Sequence, residues 1–235
     1  MKTVIKTLAA SIACLASLSA MADDAMLAKL REHYPNTSFS EVNPSEIKGI
    51  YEVVMGKNIA YTDDTGRYMV FGHMFDMTTQ ADLTASRQEQ LNRVEWPAAY
   101  LKYAIKEVKG SGLRKMVVFS DPDCPYCKRL ESELARLNNV TIYTFLYPID
   151  SLHPQARQKA VSIWCDPEKV RVWKEWMLEG KEPKLKACLN PINDIVALAQ
   201  KYNVNGTPTM IAEDGRVMAG ATSAARIDEW LGVKS

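Results

Sequence analysis

The sequence has little that would bind a metal, nucleic acid or membrane. Its three histidines, His33, His73 and His153, are scattered without the spacing of metal ligands, and we expect ordinary surface or core roles for them. Basic and acidic side chains nearly cancel, 29 against 28, so charge predicts no nucleic-acid partner. Beyond the amino terminus no apolar run approaches the roughly 20 residues that a membrane-spanning helix requires. We therefore expect a soluble mature chain that holds no metal and no cofactor.

The amino terminus has the pattern of a secretory signal peptide. Lys2 and Lys6 precede an apolar run from Leu8 to Leu18, and Ala20-Met21-Ala22 follows as a small-x-small cleavage site. We predict cleavage after Ala22, which makes residues 1–22 the signal peptide. Cleavage removes two basic residues and no acidic one, so the net charge changes from +1 to −1. The mature protein is thus expected outside the cytoplasm.

Cysteine is scarce, but its placement is informative. Of the five cysteines Cys14 leaves with the signal peptide, and the other four are Cys124, Cys127, Cys165 and Cys188. An even number of cysteines in a chain addressed to an oxidising compartment is typical of disulfide chemistry. Two of the four are close together in the sequence, and two are far apart.

The amino-terminal part of the mature chain, residues 23–80, has the pattern of a small antiparallel sheet with one helix. The predicted helix runs from Asp24 to Tyr34, and strands are predicted at Ile50–Met55, Ile59–Thr62 and Arg67–Phe71. A sheet of this size has little core of its own. We therefore expect this domain to pair with a second copy of the chain.

The rest of the chain changes to a linker helix and then a larger domain, so the fold class is α+β. The polar segment Ala81–Val94, stopped by Trp96-Pro97, predicts a linker helix within residues 81–100. In residues 101–235, Tyr103–Val108 and Lys115–Ser120 are expected to form a hairpin around Gly110-Ser111-Gly112. Helices and strands mix beyond this point, with a first helix predicted from Lys128 to Leu137.

A CxxC motif lies where a buried strand gives way to a helix. The segment is Phe119-Ser120-Asp121-Pro122-Asp123-Cys124-Pro125-Tyr126-Cys127-Lys128. At this position Cys124 lies over free backbone N–H groups at the positive end of a helix dipole, and both effects stabilise a thiolate. Cys127, one turn further along, can displace a partner bound to Cys124. Pro125 suits the first helical turn, where its missing N–H costs nothing. We therefore predict a redox-active pair.

Other interpretations of the cysteines stay open at this point. With Cys165 and Cys188 the CxxC could complete a four-cysteine zinc site, or it could be an inert structural disulfide. For the distant pair, a structural disulfide that closes the loop between Cys165 and Cys188 is the default, and its loop length predicts a stabilisation of about 3 kcal/mol. A second redox centre is the alternative for that pair.

Three segments together resemble the DsbC/DsbG family of periplasmic thiol:disulfide isomerases in the thioredoxin superfamily. These are the stretch from Phe119 to Lys128, Ile163-Trp164-Cys165 with its distant partner Cys188, and Gly206-Thr207-Pro208. The resemblance implies a thioredoxin-like domain with a helical insertion at residues 101–235, and a dimerisation domain at residues 23–80. It further implies that Cys124 attacks, that Cys127 resolves and that Pro208 is cis. Substrate would bind at Thr207, Pro208, Pro125 and Tyr126.

The same resemblance implies an activity and partners. The protein would rearrange wrong disulfides in misfolded secreted proteins through a mixed disulfide at Cys124, with chaperone-like binding of the substrate in a dimer. A membrane-bound thiol reductant of the DsbD type would keep its cysteine pair reduced in the periplasm. Two alternatives are a DsbG-like reductase of oxidised single cysteines and a holdase chaperone. Pro125 departs from the glycine of the best-known members, which leaves the reduction potential open.

Overall fold

A computed structural model of the protein describes residues 24–232, which separate into two units. The first unit extends to Asn92 and the second begins at Arg93. The predicted signal peptide lies outside the described residues. Between residues 24 and 232 no helix is long and apolar enough to cross a membrane.

The first unit is an antiparallel sheet with a helix packed on it. Residues 24–33 form helix α1. The sheet has the order β1-β2-β3-β4, with β1 (Glu41–Pro44), β2 (Ile50–Met55), β3 (Asn58–Asp63) and β4 (Met69–Val70). A small core forms where apolar side chains of α1 meet the sheet, and it contains Met26, Leu30, Phe39, Val42 and Val53. The short strands β5 (Phe75–Asp76) and β6 (Ala81–Asp82) pair with each other, and helix α2 (Leu83–Leu91) follows.

The first unit differs from the sequence prediction in three elements. Strand β1 was not predicted, because its four residues have no β-branched run and become a strand by pairing with β2. The strand predicted at Arg67–Phe71 is reduced to Met69–Val70. The linker helix begins at Leu83, where Asp82 caps it by accepting a hydrogen bond from the N–H of Ala85 at 2.9 Å, and it ends at Leu91.

The second unit is a mixed five-stranded sheet with helices on both faces. Its strands are β7 (Ile105–Lys109), β8 (Arg114–Ser120), β9 (Val140–Leu146), β10 (Thr209–Ala212) and β11 (Val217–Ala219). A 3₁₀ helix, Ala98–Tyr103, precedes β7. The α-helices are α3 (Pro125–Leu134), α4 (Ala156–Trp164), α5 (Lys169–Glu179), α6 (Ile192–Lys201) and α7 (Ala224–Leu231). The strand order is β11-β10-β8-β9-β7, with β8 and β9 parallel and the other pairs antiparallel.

The predicted hairpin of β7 and β8 is wrong. Strand β9 lies between these two strands and pairs with both. The central strand β8 is buried on both faces and needs a neighbour on each side, which the crossover through α3 supplies with β9. The glycines between β7 and β8 serve another purpose. A β-carbon on Gly110, which has φ +56°, would lie 2.3 Å from the side chain of Asn139, so this turn packs against the segment that enters β9.

Alternate side chains of β8 point into two cores, one on each face of the sheet. Val117 and Phe119 pack with helices α4, α5 and α6, while Met116 and Val118 pack with α3 and α7. Both cysteines of the CxxC belong to the first of these cores. The carboxyl end of β8 therefore leads into the first turn of α3, where the sulfur atoms of Cys124 and Cys127 lie against this core.

Candidate active site at the start of helix α3

Cys124 is the residue that begins α3. It has extended backbone angles, φ −74° and ψ 122°, and its carbonyl accepts hydrogen bonds from the N–H groups of Cys127 and Lys128 at 3.1 Å. Pro125 occupies the first helical position, where no N–H is needed. The helix thus starts three residues earlier than the predicted Lys128. Its unpaired N–H groups and positive dipole end lie at Cys124.

The two sulfur atoms differ in access and in hydrogen bonding. Cys124 is 5% exposed and its Sγ donates to the carbonyl of Thr207 at 3.4 Å. Cys127 is 1% exposed, and its Sγ accepts from the backbone N–H of Asp121 at 3.4 Å. Burial, together with the neighbouring Cys124, raises the pKa of the Cys127 thiol to about 12. Cys127 is therefore the sheltered member of the pair and Cys124 the one nearer the surface.

The segment Gly206-Thr207-Pro208 lies against the CxxC, although 83 positions separate Cys124 from Thr207. The Thr207–Pro208 peptide bond is cis, and strand β10 begins at the next residue. Pro125 and Tyr126 lie on the exposed side of the first helical turn, and the Tyr126 side chain is 61% exposed. The structure thus brings Thr207 to Cys124, and it leaves two of the predicted substrate-binding side chains open to solvent beside that cysteine.

Asp121, which is fully buried beneath the motif, is a further residue of the site, and the sequence did not predict a role for it. Its Oδ1 accepts a hydrogen bond from the N–H of Asp123 at 2.8 Å. Its Oδ2 accepts from the N–H of Ile149 at 2.7 Å and contacts Nδ1 of His153 at 3.0 Å. A carboxylate with no water contact needs such partners. The signal that could have found it is a charged residue placed directly after a buried strand.

Two further contacts hold the segment between β8 and α3. The carboxylate of Asp123 pairs with Nζ of Lys159 at 2.7 Å, and the indole N–H of Trp176 donates to the carbonyl of Pro122 at 2.7 Å. The ammonium groups of Lys128 and Lys159 lie 3.9 and 4.5 Å from the centre of the Trp176 ring, which adds cation–π attraction. Three consecutive residues before Cys124 are therefore fixed by partners from elsewhere in the second unit.

The second cysteine pair is a disulfide. Cys165, directly after α4, is bonded to Cys188, with a Cα–Cα distance of 5.7 Å. These two sulfur atoms are joined to each other, so a zinc site of four cysteines does not form here. Within residues 24–232 no cluster of three or more His, Cys, Asp or Glu side chains is arranged to hold a metal ion. Cys124 and Cys127 are the free thiols of the described chain.

Both units match models of known protein families. A family model described as "Disulfide bond isomerase protein N-terminal domain" matches residues 17–85, and one described as "Thioredoxin-like domain" matches residues 101–233. A probable thiol:disulfide interchange protein DsbC of Bordetella avium is 38% identical over 208 residues, which are 88% of this chain and 74% of the relative. The chain belongs to the DsbC family of thiol:disulfide interchange proteins.

Relatives of this chain align with it over different shares of their own length. The probable DsbC of Bordetella pertussis is 40% identical over 173 residues, 74% of this chain but only 61% of that protein. The chain therefore spans about three fifths of the length of that relative. A crystal structure of a disulfide interchange protein from Neisseria gonorrhoeae has 43% sequence identity and a TM-score of 0.54 over 56% of this chain and 94% of that one.

Proposed function

We propose that the protein is a periplasmic isomerase and reductase of disulfides in secreted proteins. The observation that carries this proposal is a pair of thiols that differ in burial at the start of α3. Cys124 lies at the amino-terminal end of the helix, and Cys127 is more deeply buried one turn further along. Membership of the DsbC family supports it. The predicted signal peptide supports export to the periplasm, where substrate disulfides form.

The proposed reaction begins when the Cys124 thiolate attacks a substrate disulfide. A bond forms between Cys124 Sγ and one substrate sulfur, and the other substrate sulfur leaves as a thiolate. That thiolate can attack a different disulfide of the substrate, which forms a new pairing and frees another substrate thiolate. When a substrate thiolate then attacks the mixed disulfide, a second new substrate disulfide forms, the bond to Cys124 breaks and Cys124 leaves as a thiolate. Alternatively, Cys127 attacks Cys124, which frees a reduced substrate and leaves a Cys124–Cys127 disulfide. Isomerisation therefore requires a reductant, and we propose a membrane-bound one of the DsbD type.

The substrate chain is proposed to bind across the surface beside Cys124. The Thr207 carbonyl, now the acceptor for the Cys124 thiol, is available to a substrate once that sulfur is in a mixed disulfide. The exposed face of Pro125 and Tyr126 offers apolar contact to an unfolded chain. Neither the Thr207 carbonyl nor the apolar face of Pro125 and Tyr126 selects for a particular substrate side chain. We therefore expect misfolded proteins of many sequences to be substrates, with chaperone-like binding as a consequence.

The reduced protein is expected to restore activity to scrambled ribonuclease at catalytic amounts. The same preparation should have a thiol–disulfide equilibrium with glutathione that keeps a substantial fraction of the pair reduced, because an isomerase needs free Cys124. The first quantity is measured by ribonuclease turnover, the second by thiol trapping and mass spectrometry across glutathione ratios. A protein that oxidises reduced ribonuclease but does not rescue the scrambled form would be an oxidant, contrary to the proposal.

We also propose that residues 23–80 form a homodimer through the free edge of β4. This strand pairs with β3 on one side only, so its other side has unpaired backbone groups. Val70 and Phe71 on this edge are 65% and 68% exposed, and Tyr68 is exposed as well. An unpaired edge with large apolar side chains is suited to a second copy of the same strand.

Val70→Lys combined with Phe71→Lys is expected to convert the dimer to a monomer, because two charges would face their own copies across the two-fold axis. The measurement is size-exclusion chromatography with light scattering on residues 23–235 at micromolar concentration, with far-ultraviolet circular dichroism to verify the fold. Ile47→Lys, which alters an exposed apolar residue in the loop between β1 and β2, is the control and should stay dimeric. A monomeric wild type, or a dimeric double variant, would contradict the interface.

A further inference from the structure

We infer that His153 is a positioning residue for the resolving step at Cys127, and that it acts through the buried Asp121. The inference rests on the proposed interchange activity and assigns a role within that site. A fully buried carboxylate under a pair of reactive thiols is contacted by a histidine that is itself 22% exposed.

The hydrogen bond between the two side chains has a defined direction. A carboxylate is an acceptor, and both Asp121 oxygens already accept backbone N–H groups, from Asp123 and Ile149. His153 therefore donates from Nδ1, 3.0 Å from Oδ2, and its Nε2 faces away from the carboxylate. His153 is also the basic side chain in contact with this carboxylate, since nearby Lys159 pairs with Asp123 instead. Burial, and to a smaller extent the charge of Asp121, raises the pKa of Tyr147. The Tyr147 phenol therefore stays neutral beside Asp121.

Asp121 connects this hydrogen bond to both cysteines through its backbone. Its N–H donates to Cys127 Sγ at 3.4 Å, and its carbonyl accepts from the N–H of Cys124 at 3.2 Å. The Asp121 carboxylate has three hydrogen-bond partners, Asp123, Ile149 and His153. These contacts fix the orientation of the peptide groups on either side of Asp121. Without the His153 donor the buried Asp121 carboxylate loses one of its three hydrogen bonds. The segment before Cys124 can then rotate so that the carboxylate contacts water instead. The N–H that faces Cys127 would move with it.

The chemical consequence falls on Cys127 rather than on Cys124. To resolve a mixed disulfide, Cys127 loses its proton to solvent and attacks Cys124 Sγ. The Cys124–Cys127 bond forms, the bond from Cys124 to the substrate sulfur breaks, and the substrate leaves as a thiolate that takes up a proton. The two cysteines are oxidised and the substrate disulfide is reduced. A thiol as buried as Cys127 ionises rarely, and an N–H aimed at its sulfur favours the thiolate.

The test follows a single turnover of the reduced protein with glutathione disulfide. Samples quenched with acid and analysed by mass spectrometry give the rate at which the Cys124–glutathione mixed disulfide disappears. His153→Leu removes the donor, while His153→Asn retains a short amide donor near the position of Nδ1. His153→Ala, which admits water to the partly exposed position, replaces the leucine variant if that one does not fold. Separately, alkylation of Cys124 by iodoacetamide is measured for each variant in a Cys127→Ala background.

We expect the donor-less variant to resolve the mixed disulfide about fivefold more slowly, or slower still, with Cys124 alkylation unchanged. His153→Asn should come within about twofold of wild type. A general loosening of the fold would affect both cysteines and would not be rescued by asparagine. Unchanged resolution, a parallel loss of Cys124 alkylation, or failure of the asparagine variant to rescue would each overturn the inference. A wild type that forms neither the mixed disulfide nor the Cys124–Cys127 disulfide would instead refute the proposed function.

Discussion

Cys124→Ser is expected to lower the recovery of scrambled ribonuclease by about a thousandfold or more, to the rate without enzyme. The hydroxyl that replaces the thiol is not ionised near neutral pH, and the remaining thiol of Cys127 is buried, so no accessible nucleophile is left at the start of α3. The fold should be retained, because Cys124 caps α3 without a side-chain hydrogen bond to the helix. The recovered ribonuclease activity is compared with a reaction that contains no protein.

Cys127→Ala is the matched variant, and its expected result is different. Cys124 still attacks, but the buried thiol that would release it is gone, so covalent complexes with substrate should accumulate on non-reducing gels. The substrate can still rearrange through its own thiols, so part of the isomerase activity should persist. Equal ribonuclease recovery by wild type and Cys124→Ser would remove the catalytic role of Cys124. An absence of complexes with Cys127→Ala would remove the resolving role of Cys127.

Glu131→Gln is expected to stabilise the protein above neutral pH and to leave its stability near pH 4 unchanged. Glu131 lies in α3, is buried, and accepts a hydrogen bond from the indole N–H of Trp173 at 3.1 Å. Burial raises the pKa of this carboxyl to about 7, against 4.5 for the unperturbed group. The folded state therefore holds its proton more tightly than the unfolded state does. Ionisation of Glu131 costs stability as pH rises from about 4.5 to about 7, and the cost stays constant above that range.

The expected size of this effect is a difference of about 2–3 kcal/mol between wild type and variant, developed from pH 5 to pH 8. Glutamine can still accept from Trp173, so the substitution removes the charge and keeps the hydrogen bond. The free energy of unfolding is measured by urea titration at each pH. Glu229→Gln, which alters an exposed carboxyl of α7, is the control and should follow wild type throughout. A Glu131→Gln curve parallel to wild type would show that this carboxyl titrates normally.

The sequence predicted the features that depend on neighbouring residues. The junction of a buried strand and a helix at the CxxC followed from Pro125 and the apolar strand before it, although the helix itself was predicted only from Lys128. The segment Gly206-Thr207-Pro208 was assigned to the site only because the chain resembled a known family, since no local pattern joins it to Cys124. The order of β7, β9 and β8 was missed because a turn of glycines predicts a hairpin unless the pairing of the central strand is known.

The role of Asp121 and His153 could not be predicted for a similar reason. The two residues are 32 positions apart, and their contact exists only once the chain after β9 folds back beneath α3. Taken singly, an aspartate before a proline is a turn residue and an isolated histidine is a surface residue. Likewise nothing near Glu131 in the sequence shows that Trp173, 42 positions later, covers it. Such pairs follow from tertiary packing rather than from local pattern.

One stretch of chain supplies the contacts that hold the three residues before Cys124. The contacting side chains lie in or just before α4 and α5, and they are His153, Lys159 and Trp176. The helical insertion is thus a scaffold for the segment that leads to the sulfur of Cys124. Transplanting the tetrapeptide Cys124-Pro125-Tyr126-Cys127 into a smaller thioredoxin-like protein would carry over the motif without this support. A chimera that also receives residues 149–188, with the Cys165–Cys188 disulfide, should come closer to the reactivity of the parent.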